Sequence, residues 1–138
     1  MGESVKVKIK IESYIDDDSG IQQDAEGDLY HKGDHYYLRY KEPDLEMSGT
    51  TTLIKLESGL VRIIRQGSVR SEQTFKAGNR LKGYYDAPHG KLELETETEQ
   101  LTVRLEQGLG TVDWSYSLFV MGERTGAYRL RLTVELLG

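Results

Sequence analysis

Short segments that alternate apolar and polar residues run through this chain almost without a break, each closed by a turn containing glycine. Val5-Lys6-Val7-Lys8-Ile9-Lys10-Ile11 opens the pattern, and Tyr128-Arg129-Leu130-Arg131-Leu132-Thr133-Val134 ends it. A period of two puts every second side chain on one face of a strand. Such a chain can bury one face of a sheet and wet the other. No window carries the 3.6-residue period of an amphipathic helix. Even the helix-forming composition of residues 91–106 alternates, with Leu92 and Leu94, then Leu101, Val103 and Leu105, set between charged residues and threonines.

Turn signals divide the chain regularly: Asp16 to Gly20, Lys32-Gly33-Asp34, Ser58-Gly59, Gln66-Gly67-Ser68, Gly78-Asn79, Gly108-Leu109-Gly110 and Met121-Gly122-Glu123. Glycine and asparagine supply the positive φ angles that tight hairpins need. Two connections look longer, Pro43 to Gly49 and Asp86 to Gly90, and both prolines fall in them rather than in a strand. The spacing predicts about eight to ten strands in an all-β, closed antiparallel up-and-down barrel. Closure removes the two unpaired edges that an open sheet of this length would expose. The first and last strands read as the longest and most regular, which makes them the expected partners across the seam. One domain covers residues 1–138, a length that suits one core and is short for two.

The expected interior is uneven. Val112, Trp114, Tyr116, Leu118 and Val120 give the later strands an apolar inward face. In the first half Ile21, Gln23, Ala25, Gly27 and Leu29 share a face, and Ile63 shares one with Arg65. Polar and small residues there leave hydrogen-bonding capacity inside the barrel.

Charge and composition exclude more than they specify. The net charge of −5 argues against a nucleic-acid binder, which needs a basic stripe against phosphates. Lys6, Lys8 and Lys10 instead read as the solvated face of a strand. With no cysteine, the chain forms no disulfide or thiolate metal site. That absence, together with the lack of a signal sequence in the opening Met1 to Ser4, leads to an expectation of a cytoplasmic protein that does not engage membranes.

Gly33-Asp34-His35-Tyr36-Tyr37-Leu38-Arg39-Tyr40-Lys41-Glu42, Ile63-Ile64-Arg65-Gln66-Gly67, Gly83-Tyr84-Tyr85 and Trp114-Ser115-Tyr116 together carry a family likeness. In these segments and their order the chain resembles the YwiB-like family of small bacterial proteins. The resemblance covers nearly the whole chain and implies a calycin-like, lipocalin-like barrel. It brings no known activity, cofactor or catalytic residue, and a fold by itself does not imply a function.

No motif specifies a chemistry. His31 and His35 are four apart, but Lys32-Gly33-Asp34 places a turn between them, so no metal site is expected. Asp16-Asp17-Asp18 fails as a calcium loop, because Ile21 and Gly27 stand where glycine and glutamate are required. Glu93, Glu95, Glu97 and Glu99 read as one solvated strand face. No catalytic constellation is legible and no cofactor is implied, which leaves an enzymatic reading with the least support. Arg65 is the residue of most interest: an inward guanidinium needs a partner, either an internal carboxylate such as Glu72 or a ligand. The expectation is a non-enzymatic binder of a small anionic or amphipathic molecule in the barrel mouth. Arg65 and Arg39 would hold the anion, and Tyr37, Tyr85 and Trp114 would pack the apolar part. The alternative is an interaction or assembly protein with a filled barrel, working through an exposed strand face or a homodimer interface.

Overall fold

The computed structural model describes residues 4–16, 20–42 and 49–137. The sequence readings on Met1 to Glu3, on Asp17 to Ser19 and on Pro43 to Ser48 lie outside the described residues. Ten strands follow in order: β1 (Ser4–Ile15), β2 (Ile21–Lys32), β3 (His35–Lys41), β4 (Thr51–Glu57), β5 (Leu60–Gln66), β6 (Arg70–Phe75), β7 (Arg80–Ala87), β8 (Gly90–Glu106), β9 (Leu109–Val120) and β10 (Glu123–Leu136). Each pairs antiparallel with its neighbour in sequence, and β1 closes on β10. The seam is a continuous ladder from Val7 opposite Leu136 to Ile15 opposite Tyr128. The expected closed up-and-down barrel is therefore the fold. β8, at 17 residues, is longer than either terminal strand, which corrects the length expectation.

Alternation sets the two faces. On β1, Val7 and Ile9 are fully buried, while Lys6 and Lys8 point outward opposite Asp28 and Glu26 of β2. Inward residues from nearly every strand meet in one core that includes Leu38, Ile54, Val61, Phe75, Val112, Trp114 and Leu132. Burying an aliphatic side chain of this kind contributes about 1.5–3 kcal/mol. Phe75 packs edge-tilted against Trp114 and Tyr116, at centroid distances of 5.4 and 4.7 Å. Tyr116 then stacks on Tyr128 at 5.4 Å, so the aromatic column runs from mid-core towards one end of the barrel.

A bulge between Thr98 and Gln100 shifts the parity of β8. Before it Leu94, Thr96 and Thr98 face inward; after it Leu101 and Leu105 do. One extra residue thus keeps both halves of a long strand aimed at the core. The connection from β8 to β9 is a two-residue turn at Gln107 and Gly108, with φ of 54° and 82°. Positive φ at both positions matches the twist of paired strands. Gly108 is buried, and a Cβ there would come within 2.7 Å of Tyr36 and 2.9 Å of Leu29. This turn packs down against the end of the barrel that also carries the termini.

Candidate functional site: a polar row below the opposite mouth

At the opposite end β1, β3, β5, β7 and β9 finish and β2, β4, β6, β8 and β10 begin. Just below it, cross-strand register lines up one inward row. Tyr40 of β3 lies opposite Thr52 of β4, Thr52 opposite Arg65 of β5, and Arg65 opposite Ser71 of β6; Tyr85 of β7 and Leu92 of β8 continue it. Directly opposed residues on one face lie within side-chain reach. Arg65 does point into the barrel, as its parity with Val61 and Ile63 required.

Its carboxylate partner is Glu42, immediately after β3, and not Glu72, which faces outward and pairs with Arg62 at 3.4 Å. The Glu42 side chain is only 2% exposed, whereas that of Arg65 is 25% exposed. Arg65 is the member of the pair whose side chain solvent reaches. Arg65 Nε lies 3.6 Å from Glu42 Oε2, within ion-pair distance but beyond a hydrogen bond. Glu42 is held otherwise by the Thr52 hydroxyl, which donates to Oε2, and by Gln23 Nε2, which donates to Oε1 at 3.4 Å. A buried carboxylate with one cation and two donors is a satisfied charge.

Other groups here are not satisfied. Among the described residues, the Tyr40 hydroxyl, Arg65 Nε, the Ser71 hydroxyl and Trp114 Nε1 are buried without a hydrogen-bond partner. Tyr40 lies close to Glu42 and Thr52 but forms no well-aligned bond with either. Burial first, and then the Glu42 charge, hold its hydroxyl well above the usual tyrosine range. Burial does the same to Tyr116, with Tyr128 adding to the effect. Unpaired buried donors each cost about 1–3 kcal/mol, so several along one row is unusual for a purely structural core. Towards this end, residues of inward parity are open to solvent: Ile21 is 69% exposed, and Ile15 and Leu92, the last residue of the row, are each 42% exposed.

The five site residues named from sequence divide into two groups. Arg65 and Tyr85 belong to the polar row. Trp114 is buried on the same inner surface, next to Phe75. Arg39 and Tyr37 do not join them, because their odd position in β3 turns them outward. Arg39 lines a groove of about 470 Å³ on the outer face with Lys6, Glu26, Asp28 and Lys41. The Lys55 ammonium lies 5.8 Å from the Tyr37 ring and 3.1 Å from Glu57. The lysine holds the Glu57 carboxyl below the usual range. Tyr40, Glu42, Thr52 and Ser71 escaped the sequence reading. Their parity with Leu38, Ile54 and Phe75 carries the signal, once strand register is known. His31 and His35 lie on opposite faces of the β2–β3 hairpin; His31 stacks on Tyr36 at 4.6 Å and His35 faces Glu57 at 3.3 Å. Among the described residues no three metal-ligating side chains converge, and no helix is long and apolar enough to cross a membrane.

The comparisons agree with this architecture. Residues 5–132 match the model of DUF1934, a domain of unknown function. The chain is 27% identical over 138 residues to the uncharacterized beta-barrel protein YwiB of Bacillus subtilis (strain 168), covering 98% of this chain and 96% of that protein. The crystal structure of the Bacillus subtilis ywiB protein superposes with a TM-score of 0.82 at 23% identity, covering 99% and 96% of the two chains.

Proposed function

The chain belongs to the DUF1934 family of domains of unknown function, and within that fold we propose that the barrel binds a small amphipathic molecule at the mouth above Arg65, without catalysis. The observation that carries this reading is the pairing of unpartnered buried donors in one row, Tyr40, Arg65 and Ser71, with a solvent-open apolar rim of Ile15, Ile21 and Leu92. An aliphatic or aromatic body would cover the rim, and its polar end would meet the row. Arg39 and Tyr37, on the outer face, have no part in this site.

A second reading keeps some support from the same barrel. The lumen below the row is filled by Phe75, Trp114 and Tyr116, and a filled barrel suits a protein that acts through its surface. The two readings separate in one experiment. Trp114 is the single tryptophan and sits at the mid-core end of the aromatic column, so its fluorescence reports on that column. Titration with a neutral eight-carbon amphiphile should shift its emission saturably. Arg65→Ala should weaken that binding at least about tenfold, and Arg39→Ala should leave it unchanged. Equal losses in the two variants, or no saturable shift in the wild type, would remove the mouth as the site.

A further inference from the structure

The charge arrangement of the polar row bears on what kind of head group the mouth accepts. Building on the proposed mouth site, we infer that it selects an uncharged carbonyl head, an amide or ester on a linear apolar chain, over the corresponding carboxylate. Three observations support this. Arg65 already has an internal counter-charge, since Glu42 lies 3.6 Å from its Nε. Glu42 is almost completely enclosed and anchored by Thr52 and Gln23, so it does not swing away. The unpartnered groups are the Tyr40 hydroxyl, Arg65 Nε and the Ser71 hydroxyl, all of which can donate.

The floor therefore presents free donors with no net charge. A neutral carbonyl oxygen takes hydrogen bonds from such a floor at no electrostatic cost. A carboxylate takes the same bonds but comes close to a fixed, buried carboxylate, and like charges in a partly desolvated site repel strongly. It must also shed more hydration than an amide does. The sequence reading of Arg65 as an anion hook is thus revised by its neighbour: Glu42 sets the preference, acting through Arg65.

The test uses octanamide and octanoate at neutral pH, with binding to the intact protein measured by calorimetry and by Trp114 fluorescence. The wild type should bind octanamide about tenfold more tightly than octanoate or better, and Glu42→Gln should reverse the order by leaving Arg65 unneutralised. Arg65→Met supplies a second arm that does not depend on the folding of the first variant. It should abolish octanoate binding while weakening octanamide about tenfold, as Arg65→Ala does. A wild type that prefers octanoate, or a preference unmoved by Glu42→Gln in a folded variant, overturns the head-group inference and leaves the mouth site standing. Failure of both compounds to bind overturns the mouth site and this inference together.

Discussion

Arg65 and Glu42 are an inward-facing ion pair in which each member depends on the other. Removing one member of a buried pair strands the other. Arg65→Met should cost about 2–3 kcal/mol in chemical denaturation, at the lower end for buried pairs because the guanidinium is partly exposed. The double change Arg65→Met with Glu42→Leu should recover most of that loss, since no charge is then left inside. A double variant no more stable than the single one would show that Glu42 is not the internal partner. Tyr40 and Tyr116 give a pH prediction. Both hydroxyls are held above their ordinary range, so the folded state keeps protons that the unfolded chain releases near pH 10. Stability is therefore full below about pH 10 and is lost as the pH rises past it. In an alkaline absorbance titration these two tyrosines should ionise only with unfolding, and Tyr40→Phe should remove one late-titrating group. Arg65 as an inward cation was legible from parity. Its partner was not, because Glu42 and Arg65 lie 23 positions apart and meet only through the β3–β4–β5 register.

At the scale of single elements, β8 and its turn into β9 show what the alternating pattern could and could not convey. The change from Leu92 and Leu94 to Leu101 and Leu105 is a switch from even to odd positions, visible in the sequence, and the bulge near Thr98 is its physical cause. The turn was placed at Gly108 to Gly110, but it occupies Gln107 and Gly108, because a glutamine at φ 54° gives no compositional signal. The buried seat of Gly108 against Tyr36 and Leu29 is a tertiary fact with no local trace. Gly108→Ala adds a Cβ at a φ of 82° and within 2.7 Å of a packed ring. We expect a loss of about 2–4 kcal/mol, read from the denaturation midpoint. A loss below about 0.5 kcal/mol would show that the turn does not pack into that end of the barrel.

Considered whole, the molecule is a meander in which, among the described residues, the seam between β1 and β10 is the strand pairing not made between neighbours in sequence. Its fold class was legible because alternation, turn chemistry and the placement of Pro88 all agree, and closure followed from the cost of free edges. The site was less legible: the alternating pattern says which side chains face inward but not which inward rows are level with one another. Ile9 is fully buried on the seam strand, opposite Val134. Ile9→Ala should destabilise the barrel by about 2–4 kcal/mol. Its amide, with that of Leu132, should exchange only through global unfolding. The mouth above Arg65 is proposed to hold a small amphipathic ligand. Native mass spectrometry of freshly purified protein, compared with its denatured mass, tests that most directly. A discrete extra mass that is lost on denaturation and absent from Arg65→Ala is the predicted result. A bare chain mass, unchanged after incubation with octanamide, would contradict it and shift the weight to a filled barrel acting through its surface.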